Sequence, residues 1–308
     1  MEPAVASGLP VLRTMLEEDR PARGARTAMN RIIAKDMLAS NVLRMVVEAP
    51  EIAKRRKAGQ FIILRIDEQG ERIPLTIADA DPAAGTITFI AQVVGKTTAH
   101  LATLEPDDFI LDLAGPLGNP THIEKFGTVV GIGGGIGIAP LHPIAQALKA
   151  AGNHTISILG ARTRALMIME DELRRASDEV ILVTDDGTYG KKGFVTDALR
   201  ELIEGGVPID LVVAIGPPIM MRMVSKLTQV HHLKTLVSLN TIMMDGTGMC
   251  GGCRVTVGGQ TKFVCVDGPE FDGHQVDFDE MGRRLNQYRD HEQSALVRFN
   301  EQHACKLG

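Results

Sequence analysis

Positive charge is not in excess in this sequence, and no apolar run reaches the length needed to cross a membrane. Lysine and arginine number 33 against 38 aspartate and glutamate, so the formal charge is -5 and a nucleic-acid partner is not expected. The first 28 residues lack the apolar core of a signal peptide and carry Glu17, Glu18 and Asp19. We therefore expect a cytoplasmic protein with no membrane partner, in which residues 1–28 are an N-terminal extension without an assigned function.

Cysteine is also scarce, since four cysteines are too few for a secreted disulfide scaffold. Three of them fall within sixteen positions near the C-terminus, a spacing that favours metal ligation in a reducing compartment. The fourth, Cys305, stands alone and is interpreted as a surface or tail thiol. The nine histidines form no close metal-ligand set, and no Ser-His-Asp arrangement can be argued.

The pattern of apolar residues changes along the chain, which at 308 residues is long enough for two or three domains. Between residues 30 and 122, six short alternating runs predict a small antiparallel barrel, with one helix at 96–104 between the last two strands. After Phe126, five apolar runs alternate with helical stretches, which is typical of a parallel sheet covered by helices. These helices are predicted at 138–150, 170–176, 195–204 and 218–231.

The stretch DGTGMCGGCRVTVGGQTKFVC, at 245–265, has the spacing of a 2Fe-2S site with one cysteine replaced. If Asp245 were cysteine, it would complete the plant-type Cys-x4-Cys-x2-Cys…Cys arrangement with Cys250, Cys253 and Cys265. A carboxylate is a competent iron ligand with the charge of a thiolate, so Asp245 is predicted as the fourth ligand. The alternative is a zinc knuckle or a degenerate site, although zinc would ask for a second Cys-x2-Cys half or for histidines.

The stretch GIGGGIGIAP, at 131–140, joins an apolar run to a predicted helix. Backbone amides at a helix N-terminus can approach a pyrophosphate, because the helix dipole favours negative charge there. The spacing is not GxGxxG but GxGxxP, in which the proline begins the helix without losing a hydrogen bond. A tight strand-to-helix turn without a ligand is the alternative. The predicted nucleotide contacts are Gly133, Gly135, Gly137 and Pro140.

Two further loops follow strands of the same domain, at the edge where ligands bind in open α/β sheets. TDDGTYG offers acceptors for ribose hydroxyls or the carboxamide, and IGPPIMM offers a tight Gly-Pro turn. Turn-forming aspartates and core methionines are the alternative, but together the loops favour a nicotinamide nucleotide. The predicted contacts are Asp185, Asp186, Gly187, Gly216 and Pro217.

Two motifs of the barrel, RIPLT at 72–76 and VGKTT at 94–98, combine a cation, hydroxyls and a glycine turn near strand ends. Such a set can hold a flavin diphosphate and its ribityl chain, whereas Lys96 could equally be a solvated surface charge. The predicted fold class is therefore α+β with several domains: an antiparallel Greek-key β-barrel for FAD, an α/β nucleotide-binding domain with a parallel sheet, and a small 2Fe-2S lobe. The predicted domains are the extension (1–28), the barrel (29–124), the α/β domain (125–240), the lobe (241–275) and a helical tail (276–308).

The order of these motifs, from RIPLT and VGKTT through GGGIGIAP, DDGTYG and GPPIMM to the cysteine loop, resembles the ferredoxin-NADP reductase superfamily. Within it, the chain is similar to the branch that holds dihydroorotate dehydrogenase electron-transfer subunits and the small subunit of NADH-dependent reduced ferredoxin:NADP oxidoreductase, also known as a sulfide dehydrogenase subunit. The resemblance covers nearly everything from Met29 onward.

The resemblance implies FAD in the barrel and NAD(H) over the glycine loop. In the orotate-linked subunits the cluster ligands look to be four cysteines, whereas the ferredoxin:NADP subunit has aspartate plus three cysteines, as here. Two positions depart from the wider superfamily. Arg72 lies four rather than three positions before Thr76, and Ile215 replaces the usual cysteine before Gly-Pro, which argues further against the orotate-linked relatives. The implied FAD contacts are Arg72, Pro74, Leu75, Thr76, Gly95, Lys96 and Thr97.

The resulting hypothesis is an oxidoreductase subunit with no catalytic acid-base pair, in which hydride passes between NAD(H) and FAD and single electrons pass through the cluster to a partner. The resemblance implies a heterodimer with a larger FAD and iron-sulfur flavoprotein, ferredoxin reached through that subunit, and electron bifurcation in the complex. The alternatives are the electron-transfer subunit of an NAD-dependent dihydroorotate dehydrogenase and a non-catalytic nucleotide sensor with a structural zinc. NAD over NADP rests on the resemblance, because Arg162 and Arg164 could accept a 2′-phosphate.

Overall fold

The computed structural model of the protein describes residues 30–304. The predicted extension at 1–28 and Cys305 lie outside the described residues. Within the described range, the chain forms two seven-stranded sheets and one two-stranded sheet.

The first sheet is antiparallel and curls into a nearly closed barrel. Its strands are β1 (Asn30–Ala39), β2 (Val42–Glu48), β3 (Phe61–Arg65), β4 (Ile73–Asp81), β5 (Thr86–Gln92), β6 (Phe109–Ile110) and β7 (Asp112–Leu117). Their order in the sheet is β6-β1-β2-β5-β4-β3-β7. The consecutive strands β3, β4 and β5 are neighbours, and β5 lies beside β2, which is the predicted Greek-key arrangement. Alternate side chains of these strands point into the barrel, where Ile32, Leu43, Met45 and Phe89 are fully buried.

The run DDFILDLAG, predicted as one strand, forms two. β6 pairs with β1 and β7 pairs with β3, at opposite ends of the sheet. The break falls at Leu111, whose backbone N–H donates to the carbonyl of Ile66 (3.0 Å). One continuous run of apolar residues therefore supplies both edge strands of the sheet, because the chain crosses from one edge to the other where the barrel closes.

Two helices accompany the barrel, α1 (Pro50–Arg55) and α2 (Lys96–Thr103). The second confirms the helix predicted at 96–104. The first was missed, because six residues between two strands are too few to show a helical period. Its sequence signal is Pro50 at the first helical position, where the absent N–H is not needed.

The second sheet is parallel except at one edge, and its order is β11-β10-β9-β8-β12-β13-β16. Its strands are β8 (Thr128–Gly134), β9 (His154–Ala161), β10 (Glu179–Thr184), β11 (Lys191–Lys192), β12 (Leu211–Ile215), β13 (Thr235–Ser238) and β16 (Glu270–Asp272). The covering helices are α3 (Ile138–Ala150), α4 (Glu170–Ala176), α5 (Val195–Glu204) and α6 (Pro218–Val230), which match the four predicted helices. The strand order reverses between β8 and β12, where ligands bind in such sheets.

The cysteine-containing segment forms a hairpin of β14 (Arg254–Val257) and β15 (Gln260–Phe263), followed by the short helix α7 (Val264–Asp267). β16 then adds an antiparallel strand to the edge of the parallel sheet. Two helices end the described chain, α8 (Phe278–Leu285) and α9 (Arg289–Ala304). Helix α9 returns to the barrel, where the ring of Phe299 lies 5.7 Å from that of His100 in α2. The predicted fold class is confirmed.

No helix among residues 30–304 is both long enough and apolar enough to span a membrane.

Candidate functional site

A cleft lies between the barrel and the parallel sheet, and it brings together residues predicted for two different cofactors. Pro74, Leu75 and Thr76 form one wall from β4, while the opposite wall comes from the N-terminal turn of α3 and the loop after β12. The lining residues are Phe61, Pro74, Leu75, Thr76, Ile90, Ile136, Gly137, Ala139, Pro140, Ile215, Gly216, Ser238, Leu239, Asn240, Met243 and Pro269. Apart from Thr76, Ser238 and Asn240, these are apolar or glycine, so the cleft suits flat rings held by a few polar groups.

The remaining residues predicted for FAD gather at the N-terminus of α2. The hydroxyl of Thr97 donates to the carboxylate of Glu71 (2.8 Å), which places Arg72 beside the start of the helix. Within residues 30–304, neither the guanidinium of Arg72 nor the ammonium of Lys96 has a hydrogen-bond or ion-pair partner. These two cations lie next to the N-terminal backbone amides of α2, which follow Gly95 in the chain. Cations and helix N-terminal amides together fit the diphosphate of a flavin dinucleotide.

The glycine loop and the loop after β12 are in direct backbone contact. A methyl group at Gly137 would overlap the carbonyl oxygen of Ile215, and one at Gly216 would lie 3.0 Å from the carbonyl oxygen of Gly134. Only glycine permits this approach of the two loops. The short 3-10 turn at Gly135–Gly137 leads directly into α3, so its backbone amides lie at the N-terminus of that helix. Pro140 and Pro217 lie at the beginnings of α3 and α6.

The predicted acidic loop lies on the same edge but two strands from the glycine loop, about 10 Å away at the usual strand spacing. The carboxylate of Asp186 accepts from the backbone N–H and then the hydroxyl of Thr188, and these bonds hold its pKa below the usual value. Asp186 thus shapes its own turn, which continues through Gly187. The backbone N–H of Asp185 donates to the carbonyl of Ala161 (3.1 Å), whereas its carboxylate has no hydrogen-bond or ion-pair partner among the described residues and can reach a ligand.

Tyr189, within this loop, contacts two residues outside it, Arg164 and Glu170. The sequence suggests Arg164 as an acceptor of a 2′-phosphate, whereas Tyr189 and Glu170 were not predicted as contacts. The guanidinium of Arg164 lies 5.0 Å from the centre of the Tyr189 ring. The Tyr189 hydroxyl donates to Glu170 (2.9 Å), and this bond raises the pKa of Tyr189. Tyr189 could have been suspected, because it is one of only two tyrosines in the sequence and follows directly on the acidic motif.

Three of the predicted cluster ligands, Asp245, Cys250 and Cys253, lie on one loop, and Cys265 lies in helix α7 after the hairpin. The four side chains do not converge, and no three potential metal ligands among the described residues do so. The thiols of Cys253 and Cys265 are buried with their sulfurs 3.2 Å apart. Burial and the neighbouring thiol raise the pKa of Cys265 to about 12. Cys250 is exposed on the outer side of the loop.

The carboxylate of Asp245 organises this loop. One oxygen accepts from the backbone N–H of Thr247 (2.7 Å) and the other from that of Cys250 (2.7 Å). These bonds, led by that from Thr247, hold the pKa of Asp245 below its usual value. Gly248 and Gly251 flank the exposed cysteine with left-handed backbone (φ +86° and +64°). Backbone N–H groups also reach two sulfurs, those of Cys250 (3.4 Å) and Cys253 (3.5 Å). The donor set of thiols, amides and one carboxylate fits an iron-sulfur cluster.

The cluster loop packs directly on the barrel strands that form the cleft. Met243 lines the cleft and is two residues from Asp245. A methyl group at Gly246 would press on Leu117 and Ile63, and Ile63 is paired with the cleft residue Pro74. Parts of the predicted FAD and nicotinamide sites therefore line one cleft, and the cluster loop packs beside it.

Comparison with known proteins agrees with this arrangement. Residues 240–277 match the family model of the iron-sulfur cluster binding domain of dihydroorotate dehydrogenase B, and residues 132–226 match that of the oxidoreductase NAD-binding domain. A protein of Thermotoga maritima described as a dihydroorotate dehydrogenase B (NAD(+)), electron transfer subunit homolog is 50% identical over 89% of this chain and 96% of its own length. The chain belongs to this electron-transfer-subunit family, within the ferredoxin-NADP reductase superfamily.

Two further relatives extend the comparison within the family. A probable dihydroorotate dehydrogenase B (NAD(+)), electron transfer subunit of Methanopyrus kandleri is 35% identical over 76% of this chain and 86% of its own length. A solved structure of the NADH-dependent reduced ferredoxin-NADP oxidoreductase, reported for insights into flavin-based electron bifurcation, superposes with a TM-score of 0.84 at 48% identity. It covers 89% of this chain and 98% of the solved one.

These findings confirm the predicted superfamily and the predicted oxidoreductase class acting on NAD(P)H. They also support the cofactor classes predicted for this family, which are FAD, a nicotinamide nucleotide and an iron-sulfur cluster.

Proposed function

We propose that the chain exchanges hydride between NAD(H) and FAD and relays single electrons through a 2Fe-2S cluster to a larger flavoprotein subunit. The observation that carries this proposal is the shared cleft: β4 forms one wall and the glycine loop forms the other. The cluster loop contributes Met243 to the cleft lining and packs through Gly246 on Leu117 and Ile63 of the barrel. When bound there, FAD would supply the capacity to accept a hydride and to release electrons one at a time.

The protein residues of the cleft have a positioning role. Pro74 to Thr76 face Gly137 and Pro140 across the opening, which allows a nicotinamide and a flavin ring to lie face to face. The apolar walls at Phe61 and Ile136 keep water away from the ring contact. No ionisable side chain lines the cleft within the described residues, in keeping with a reaction that needs no protein acid or base.

The exposed side of the cluster loop is the proposed exit for electrons. Cys250 faces solvent, and the neighbouring methionines are unusually open, with Met249 88% and Met244 59% exposed. An apolar collar around an exposed cluster ligand suits contact with another protein. We assign this surface to the larger FAD and iron-sulfur flavoprotein of a heterodimer, through which ferredoxin would be reached.

Electron bifurcation that couples NADH, NADPH and reduced ferredoxin is the reaction proposed for the assembled complex. Its support is the similarity to the solved NADH-dependent reduced ferredoxin-NADP oxidoreductase, together with the Asp-Cys-Cys-Cys spacing. The second candidate is the electron-transfer subunit of a dihydroorotate dehydrogenase, favoured by the family model over residues 240–277. Anaerobic purification with associated proteins separates them. A companion that supports NADH-dependent ferredoxin and NADP reduction favours the first, and dihydroorotate-dependent NADH formation favours the second.

The isolated chain tests the core of the proposal. Anaerobically prepared protein should contain about one FAD and roughly two iron atoms per chain, as a 2Fe-2S site requires. NADH should bleach the flavin absorbance and then reduce the cluster, visible by electron paramagnetic resonance. One equivalent of zinc without flavin would instead support the nucleotide sensor.

Substitution of Asp245 tests the fourth ligand. Because its carboxylate also accepts two backbone N–H bonds, Asp245→Ala removes a ligand and a loop contact together. Asp245→Asn loses the charge and keeps an acceptor oxygen for one of the two amides, and Asp245→Cys restores a charged ligand. We expect a cluster with altered spectrum and potential in the Cys variant, a shifted or weakened cluster in the Asn variant, and loss in the Ala variant. A wild-type spectrum and potential in the Asn variant would mean that the aspartate only orders the loop.

A further inference from the structure

His142 of helix α3 makes a polar contact within a largely apolar interface between the two domains. The surrounding core includes Val42 and Ile90 of the barrel and Leu141 of the helix. Nδ1 of the buried His142 lies 3.3 Å from the carbonyl oxygen of Ala78 in β4. Because a carbonyl can only accept, Nδ1 carries the proton and donates it.

The backbone of β4 is irregular at the point of contact. Ile77 pairs with Phe89 and Asp79 with Thr88, so Ala78 is the extra residue of a β-bulge. It has no partner in the register with β3 either. Ala78 is buried, and a buried carbonyl without a donor costs free energy, so the imidazole of His142 satisfies a group that the bulge removes from the ladder.

The contact joins the two elements that form the opposite walls of the cleft. Ala78 is two residues beyond Thr76, and His142 is two residues beyond Pro140. Two residues correspond to roughly 7 Å along a strand and about 3 Å along a helix. The hydrogen bond therefore lies close behind both walls, where a shift of either element changes the width of the cleft.

We propose that His142 is a positioning residue for hydride transfer, whose N–H holds the β4 bulge against helix α3 and sets the spacing between the flavin strand and the nicotinamide helix. This inference rests on the function proposed above. The imidazole itself does not line the cleft, so its effect passes through Ala78 and Thr76 on one side and through Pro140 on the other.

Three substitutions separate the hydrogen bond from the filling of space. His142→Asn can place a side-chain N–H near the position of Nδ1, His142→Gln moves the donor outward by one methylene, and His142→Leu fills the space without a donor. With ferricyanide as acceptor, kcat for NADH oxidation should fall roughly ten- to hundredfold in the Leu variant, because small displacements of reacting groups are costly. The KM for NADH should change less than about twofold, since the glycine loop is intact. The Asn variant should recover most of the loss and the Gln variant only part of it.

Hydrogen-deuterium exchange supplies a second readout that does not depend on turnover. Peptides covering 73–81 and 131–145 should exchange several-fold faster in the Leu variant, and at the wild-type rate in the Asn variant, because the bond ties these two segments. Equal kcat and equal exchange in the Leu and wild-type proteins, or wild-type kcat in the Gln variant, would overturn the inference. If wild-type protein does not transfer hydride from NADH to its flavin, the proposed function fails, and the exchange rates alone then support or overturn the tie between the domains.

Discussion

The two helix N-termini assigned to diphosphates differ in charge. Helix α2 begins beside two cations without partners among the described residues, Arg72 and Lys96. Helix α3 begins in a loop of glycine and isoleucine with no charged side chain in its first turn, and this loop is in backbone contact with the loop after β12. Charge-assisted hydrogen bonds are about twice as strong as neutral ones. The difference suits a cofactor that stays bound at α2 and a substrate that must leave α3 after every turnover.

Removal of both cations should give the largest effect and would break the comparison most directly. In Arg72→Gln/Lys96→Gln, loss of two hydrogen bonds to a charged group, at about 1.5–3 kcal/mol each, should raise the FAD dissociation constant by roughly a hundredfold or more. Reconstitution of apoprotein followed by flavin fluorescence measures this constant. The KM for NADH in the FAD-saturated variant should be near that of the wild type.

A matched double variant controls for the change in net charge. Lys54→Gln/Lys57→Gln removes two exposed cations from helix α1 and the residues that follow it, so its FAD affinity should be unchanged. If the control variant loses as much FAD as the test variant, the cations act through general attraction and not through contacts at α2.

A methyl group in the glycine loop should produce the next largest effect, confined to the other site. In Gly137→Ala the new Cβ would overlap the carbonyl oxygen of Ile215, a backbone atom that cannot rotate away. Overpacking of this kind costs about 1–3 kcal/mol, so kcat/KM for NADH should fall roughly ten- to hundredfold while FAD content stays complete. Gly282→Ala in helix α8, where a Cβ meets nothing within 4 Å, is the control and should keep wild-type kinetics. Unchanged kcat/KM in Gly137→Ala would show that the loop does not approach the nucleotide closely.

The sequence predicted the two N-termini unequally well. The helix at 138–150 could be placed within a residue, because a glycine run, a proline and a long apolar period all agree there. The absence of a charged residue at the start of α3 could also be predicted from the sequence. That the side chains of Arg72 and Lys96 have no ion-pair partner could not be predicted from the sequence. It depends on Glu71 accepting a hydrogen bond from Thr97 and on no other carboxylate of the barrel approaching the two cations.

The cleft shows why much of the site could not be read from the chain. Its predicted residues come from three short motifs, but the walls also include Phe61, Met243 and Pro269, which carry no ligand signature. Phe61 is more than a hundred positions from the other two in the sequence. The double role of the Asp245 carboxylate is likewise a matter of loop geometry that spacing does not contain. Spacing identifies local turns and ligand types, whereas long-range packing decides which of them share a cleft.

A substitution at Glu270 tests whether the junction between the two domains affects FAD binding at α2 and NADH binding at α3 differently. Its carboxylate accepts from the hydroxyl of Thr121 (2.5 Å), in the segment that leaves the barrel, and it follows the cleft residue Pro269. Burial raises the pKa of Glu270 from 4.5 to about 6. Stability from this group is therefore complete below pH 4.5 and is lost as the pH rises through 6, because the folded protein must then keep a buried charge.

Glu270→Gln mimics the protonated acid at every pH and still accepts from Thr121. We expect it to raise the free energy of unfolding at pH 7.5 by at most about 2 kcal/mol, with the gain vanishing near pH 4.5. Thermal unfolding across this pH range measures the effect, with the exposed Glu68→Gln as control. Affinities for FAD and NADH should both stay within about twofold of wild type, since neither helix N-terminus changes. A gain that is the same at both pH values would disprove the titration.

Ionic strength gives the smallest effect and the finest test of the comparison. Salt screens exposed cations within a Debye length of about 10 Å at 0.1 M, whereas hydrogen bonds from neutral amides in a tight loop are screened little. Raising NaCl from about 0.05 to 0.5 M should increase the dissociation constant of FAD roughly three- to tenfold and the KM for NADH less than twofold. A KM for NADH that rises as steeply as the FAD constant would mean that a cation reaches the nucleotide after all. The exposed Arg162 and the ring-stacked Arg164, at the end of β9, are then the side chains to replace, and NADPH should show the steeper slope because a 2′-phosphate brings more charge to them.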